Sequence, residues 1–84
     1  MARKNILDYK NVLYLLDVSL AHSEDRVVSL DDIIEIFVRK TDKSRPETII
    51  RHIDYMCKMN LIQKKGEYSY LVAKNWKEII DNLQ

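Results

Sequence analysis

Apolar residues recur near the start of the chain with the three- and four-residue spacing of one face of an α-helix. This pattern predicts a helix over residues 6–22, whose buried face would consist of Tyr9, Val12, Leu13, Leu16 and Leu20. A second apolar stripe lies on another side of the same helix, at Leu7, Tyr14, Val18 and Ala21. Because a surface helix needs to bury only one face, the second stripe must contact something else.

Capping boxes mark the starts of the next two helices. Residues 29–32 (Ser-Leu-Asp-Asp) open a helix over 30–40, and the β-branched segment before them predicts a short strand over 26–28. Residues 44–47 (Ser-Arg-Pro-Glu) open a helix over 45–59, with proline in the first turn, where its missing N–H costs nothing. The residues expected to share the buried face of this third helix are Ile49, Ile50, Ile53, Met56 and Cys57.

The pattern after the third helix predicts a hairpin and a last helix. Asn60 fits the left-handed, helix-ending position that glycine usually occupies. Apolar segments on both sides of a turn at residues 64–67 predict a β-hairpin over 61–73. Another capping box opens a helix over 76–83, whose apolar stripe consists of Trp76, Ile79, Ile80 and Leu83.

Length and composition narrow the function classes. With 84 residues, of which 46% are hydrophobic and 32% charged, the chain is expected to form one small globular domain. One glycine and one cysteine exclude a glycine-rich phosphate loop, a disulfide framework and a multi-cysteine metal site. The first apolar stretch is interrupted by charged residues, so we expect no membrane span and no targeting signal. An intracellular, cytoplasmic location follows as the expectation.

No arrangement of side chains indicates catalysis. The acidic pairs are explained by helix capping and a solvated loop, and no serine–histidine–acid set is recognisable. His22, His52 and Cys57 are too scattered to indicate a metal site, and Cys57 is expected to be an inert core thiol. The sequence therefore predicts no enzyme activity, no cofactor, no metal and no small-molecule ligand.

The net charge of +1 conceals a strong segregation of charge along the chain. Residues 1–16 carry a net charge of +2, residues 17–38 of −5, residues 39–65 of +5 and residues 66–84 of −1. A basic segment suggests an anionic partner, although a basic stripe on a helix is often only a solvated face.

The order helix, strand, helix, tight turn, helix, hairpin, helix resembles the winged helix-turn-helix superfamily. The resemblance covers roughly residues 6–73, and residues 44–62 are its most specific part, because they resemble a recognition helix leading into a wing strand. It implies one α+β, mostly helical domain over residues 1–84: a three-helix core, a short strand, a hairpin wing and a C-terminal helix. The size and the Ile/Lys/Tyr-rich composition also resemble winged helices of archaeal viruses and plasmids, which would place the protein in the host cytoplasm.

This resemblance implies sequence-specific binding of double-stranded DNA by a transcription regulator. The third helix would enter the major groove and the wing would follow the backbone or minor groove. A basic arm at residues 2–4 would add to this surface. The residues that the resemblance assigns to DNA contact are Lys43, Ser44, Arg45, Thr48, Arg51, His52, Tyr55, Lys58, Lys64 and Lys65.

A homodimer would provide a partner for the remaining apolar stripes and would place two such helices on successive major grooves. Packing of the two stripes against each other within one subunit would satisfy part of the same requirement. The residues assigned to the dimer interface are Leu7, Tyr14, Val18, Trp76, Ile79, Ile80 and Leu83.

The alternative is a winged helix that binds or assembles with proteins and has little affinity for DNA. In that case the aromatic and methionine side chains near the third helix and the hairpin would form a docking surface, and the lysines would surround it. The residues of this surface would be Tyr55, Met59, Tyr68 and Tyr70.

Overall fold

A computed structural model describes the backbone of residues 3–83 and the side chains of residues 5–83. The described part is a mostly helical α+β fold of four helices and one three-stranded antiparallel sheet. The elements are α1 (Arg3–Ser19), β1 (Val27–Ser29), α2 (Leu30–Lys40), α3 (Pro46–Lys58), β2 (Ile62–Gly66), β3 (Ser69–Val72) and α4 (Trp76–Leu83). None of the helices in the described residues is long and apolar enough to cross a membrane.

The sheet joins distant parts of the chain. Its order is β1-β3-β2, so the last strand in sequence lies at the centre and pairs antiparallel with both others. Val28 lies opposite Tyr70 in the first pair and Ile62 lies opposite Val72 in the second. β2 and β3 form a hairpin whose register shifts between Lys64 and Gly66.

The core is built from the inner faces of all four helices and one side of the sheet. Tyr9, Leu13 and Leu16 of α1 are fully buried, as are Phe37 of α2 and Ile53 of α3. Burial of apolar surface on this scale is the main favourable contribution to folding.

Two residues of the predicted dimer interface belong to this core. Trp76 is only 2% exposed and Ile80 is fully buried, because α4 packs against α1 within the same chain. The prediction that these two side chains lie between subunits is therefore corrected. A single amphipathic stripe does not distinguish an intrachain partner from a second copy, since both bury the same apolar face.

The serine cap predicted for α2 is confirmed, and the capping box predicted for α3 is wrong. Ser29 accepts a hydrogen bond from the backbone N–H of Asp32 at 3.2 Å. At α3, by contrast, the N-cap is Arg45, in extended conformation and without a side-chain capping bond. A residue before proline favours extended backbone, so Pro46 makes Arg45 the cap in place of Ser44.

The element boundaries differ from the predicted ones mainly at α1 and the hairpin. The first helix begins at Arg3 and ends at Ser19, earlier at both ends than expected. Residues 2–4 were predicted to form a basic arm; Ala2 lies outside the described residues, whereas Arg3 and Lys4 are the first turn of α1. β2 continues through both lysines to Gly66, so the hairpin turn falls at residues 67–68.

Among the residues that the structure describes, two other than glycine have positive φ, and both lie at element ends. Asn60 has φ 64° and ends α3, which confirms the sequence expectation for this position. Arg26 has φ 54° just before β1. Its side chain donates to Asp17 at 2.6 Å and to the Val72 carbonyl at 3.2 Å, so contacts with α1 and β3 hold this unfavourable conformation.

Candidate nucleic-acid interface

The outward face of α3 is polar and bears charges of both signs. Arg51 and Lys58 are exposed on it, and Thr48 and Tyr55 are half-buried beside them. The Lys58 ammonium lies over the Tyr55 ring, 5.9 Å from its centroid, which is within the range of a cation–π contact. Ile50 was expected in the core but is 41% exposed, so this face also presents an apolar side chain.

The exposed cations around α3 lack carboxylate partners within the described residues. No salt bridge among residues 5–83 involves those on the helix and its cap, Arg45, Arg51 and Lys58, or those on β2, Lys64 and Lys65. Elsewhere, Arg26 and Arg39 each contact a carboxylate at 2.6 and 2.7 Å. The five cations therefore remain available to an external anion.

The hairpin places its two lysines next to the end of α3. Lys64 and Lys65 are exposed on β2, an outer strand of the sheet. A groove of about 410 Å³ lies between α3 and this strand, with Cys57 on one side and Lys64 on the other. Basic side chains on β2 also protect an open sheet edge from pairing with another chain, so their position alone does not indicate DNA.

Lys43 is not part of the exposed surface, contrary to prediction. Its Nζ lies 2.6 Å from Asp8 Oδ2, and the two side chains are only 10% and 11% exposed. Burial of a lysine at this level requires a charged partner. The ion pair therefore joins the turn before α3 to α1. The Lys43 ammonium, which was predicted to contact DNA, is paired with Asp8 of the same chain.

His52 is also held in the interior, 9% exposed, although it was predicted to contact DNA. Its Nδ1 lies 2.6 Å from the Tyr9 hydroxyl. Burial raises the pKa of Tyr9 to about 12, while burial and then the nearby Lys43 ammonium lower the pKa of His52. A protonated Tyr9 hydroxyl and a neutral His52 imidazole therefore share this hydrogen bond, and the tautomer of His52 sets which of the two donates.

Asp8, Tyr9, Lys43 and His52 together form what we call the buried polar cluster. The sequence did not indicate it, because its two bonds join residues 35 and 43 positions apart. The one available signal was Asp8, an acidic residue beside the buried stripe of α1. Single-sequence periodicity identifies such a position but not its partner.

The four residues of the alternative docking surface are not all exposed. Tyr68 is 64% exposed at the hairpin turn, but Tyr70 is only 5% exposed, since alternate residues of β3 face the core. Tyr55 and Met59 are half-buried against the core. This arrangement leaves Tyr68 as the single large exposed aromatic of that set.

Cys57 is half-buried at the end of α3, and burial raises the pKa of its thiol. Within the part of the chain that the structure describes, no group of three or more His, Cys, Asp or Glu side chains is placed to hold a metal ion.

No protein-family model matches the chain, and neither curated proteins nor solved structures show a match to it.

Proposed function

We propose that the protein binds double-stranded DNA in a sequence-specific manner and regulates transcription as a dimer. In this proposal the fold is a winged helix-turn-helix, α3 is the recognition helix in the major groove, and the β2–β3 hairpin is the wing. The observation that carries the proposal is the set of five exposed cations, unpaired among the described residues, on α3, its cap and the adjoining strand.

The topology supports this proposal. α2 and α3 are joined by a short turn, and α3 leads directly into a hairpin whose second strand also pairs with β1. A helix presented in this way can lie in a major groove with its outer side chains at the base edges and phosphates. The adjoining hairpin can then reach the neighbouring backbone.

The position of each side chain suggests its role. Arg51 lies mid-face on α3, where its guanidinium can make a bidentate contact with guanine. Thr48, one turn earlier, suits a phosphate or a thymine methyl group. Lys58 at the end of the helix and Arg45 at its start are both suited to contact phosphates. The backbone N–H groups at the helix N-terminus also favour a phosphate beside Arg45.

The two acidic residues on α3 bear on specificity. Glu47 and Asp54 are exposed on the helix and repel phosphates. They weaken binding to DNA of arbitrary sequence and make affinity depend more on correct base contacts. We therefore expect selected target sites to bind much more tightly than random duplex.

The test is fluorescence anisotropy of a labelled duplex, first of random sequence and then of sites selected by the protein. If the protein contacts about six phosphates, its affinity for the duplex should fall about a thousandfold when the salt concentration is raised from about 50 to 200 mM. The double variant Arg51→Ala/Lys58→Ala should lose most of this binding. The matched control is Lys74→Ala/Lys77→Ala, which removes equal charge from the region of α4.

Three results would overturn the proposal: no binding by the wild type at low salt, weak salt dependence, or equal losses in the two double variants. Binding without preference among selected sites would remove the sequence-specific part. The protein-docking alternative has no comparable observation in its favour, because Tyr70 belongs to the core.

A further inference from the structure

Four exposed residues form a stripe along α1, on the side of the helix opposite its buried face. Leu7 is 54% exposed, Tyr14 and Val18 are each 57% exposed, and Asn11 is exposed between them. Their spacing is four, three and four residues, which is the spacing of a coiled-coil seam. We call these four residues the α1 seam.

We infer that the α1 seam pairs with the same seam of a second copy of the chain, with the two helices antiparallel. This inference extends the proposed function, since it names the surface that forms the proposed dimer. A two-fold axis requires one patch to be complementary to itself, and the sequence of the seam meets that requirement in one register.

In that register the two-fold axis lies midway along the seam, so that residues near the start of one seam face residues near the end of the other. Leu7 lies against Val18 of the second copy, and Asn11 lies against Tyr14 of the second copy. The first layer is apolar on both sides. In the second layer the Asn11 amide can hydrogen-bond the Tyr14 hydroxyl of the second copy, and one polar seam position is a known determinant of register.

Charge complementarity favours the antiparallel direction. Residues 1–16 have a net charge of +2, and residues 17–38 have a net charge of −5. Antiparallel pairing brings the start of α1, where Arg3 and Lys4 lie in the sequence, towards the segment that follows the other α1, where Glu24 and Asp25 are exposed. Parallel pairing would place like charges together at both ends.

The burial of α4 within its own chain favours α1 over α4 as the dimer surface. Trp76 and Ile80 already pack on α1 of their own chain, and Ile79 is half-buried, which leaves Leu83 as the exposed large apolar residue among those described in α4. A groove of about 350 Å³ between α1 and α4 lies beside Tyr14. It offers space for side chains of the second copy next to the seam.

Sedimentation equilibrium tests the inference over a wide range of protein concentration. We expect the wild-type mass to rise from 10.0 kDa towards twice that value. Val18→Lys should stay at the monomer mass, because it places a charged ammonium against the apolar Leu7 of the second copy, whereas Val38→Lys should behave like the wild type. Val38 is a matched control: it is 48% exposed, on α2.

A wild type that remains monomeric throughout would overturn the inference. So would a Val18→Lys variant that associates as strongly as the wild type. Since Val18 is exposed, the variant should melt at the wild-type temperature at low concentrations where both are monomeric, and a melting curve there verifies that any loss of association is not a loss of folding.

Cysteine cross-linking tests the direction independently. In a Cys57→Ser background, Leu7→Cys mixed with Val18→Cys should form a disulfide-linked pair under mild oxidation. Neither variant should cross-link efficiently alone, because antiparallel helices separate identical positions and a disulfide requires Cα atoms within about 7 Å. Efficient self-linking of Leu7→Cys would show parallel pairing and overturn the antiparallel assignment.

Failure of this inference is distinguishable from failure of the proposed function. A dimer that shows no salt-dependent binding to duplex DNA would support pairing through the α1 seam and contradict DNA binding. A monomer that binds DNA through Arg51 and Lys58 would sustain the DNA surface and contradict the seam.

Discussion

The basic residues around α3 occupy two contrasting environments. In the buried polar cluster, Lys43 is 10% exposed and bound to Asp8 at 2.6 Å. On the outward face, Arg51 is exposed and has no salt bridge among residues 5–83. A basic residue on or beside the same helix can therefore stabilise the fold or remain available to a ligand. Burial and pairing distinguish the two roles, whereas residue type does not.

The largest effect on the free energy of unfolding should come from Lys43→Met. It leaves the Asp8 carboxylate buried without its partner, which should cost about 3 kcal/mol. Lys58→Met on the outward face should change stability by less than about 0.5 kcal/mol. Urea unfolding of both variants measures this difference, and equal small losses would show that the Asp8–Lys43 pair does not support the fold.

The second effect concerns the other bond of the cluster. Tyr9→Phe removes the hydroxyl that is hydrogen-bonded to His52 and leaves a buried ring nitrogen without its partner, which should cost about 1–2 kcal/mol. Tyr68→Phe, the identical change at the exposed hairpin turn, should leave the melting temperature unchanged. Equal melting of the two variants would contradict a structural role for the Tyr9–His52 bond.

A smaller, pH-dependent effect follows from His52. Burial lowers its pKa below the usual 6.5, so the unfolded chain takes up the proton first as pH falls. The stability contributed by neutral His52 is therefore fully present above about pH 6.5 and is lost as pH falls from there through the lowered pKa of the folded state. Unfolding of the wild type and of His52→Phe across this range measures the difference. A slope with pH that is unchanged in the variant would exclude His52 as its source.

The smallest effect on stability should accompany a large effect on binding. Arg51→Ala should shift the free energy of unfolding by less than about 0.5 kcal/mol. It should weaken binding to a selected site by about 1–3 kcal/mol and relax the base preference there. Anisotropy titrations combined with melting curves measure both quantities, and an unchanged affinity would remove Arg51 from the DNA surface.

The sequence predicted local structure well wherever one short-range signal dominated. Apolar periodicity and a serine cap located α2, and Asn60 was correctly expected to have positive φ. At α3, two local signals competed, and the extended preference before Pro46 moved the cap from Ser44 to Arg45. Such conflicts are local, so they shift a boundary by a residue or two without changing the fold.

The candidate site was less predictable, because its composition depends on distant partners. His52 and Lys43 carry the residue types of a DNA surface, but residues of α1 bind them in the interior. Trp76 belongs to the apolar stripe of α4, which a partner in the same chain or in a second subunit could cover equally well. One sequence without contacts contains no information that separates these cases.

The central position of β3 has a consequence for synthesis on the ribosome. In the sheet, β1 pairs with β3 and not with β2. Val27 therefore has no strand partner until Leu71 has left the ribosome. The nascent chain can form α1 to α3 earlier, since helices depend on local contacts. The sheet therefore closes only after β3 has emerged, and until then β1 has two open edges. Its length of three residues limits how well it can capture a strand from another chain during that interval.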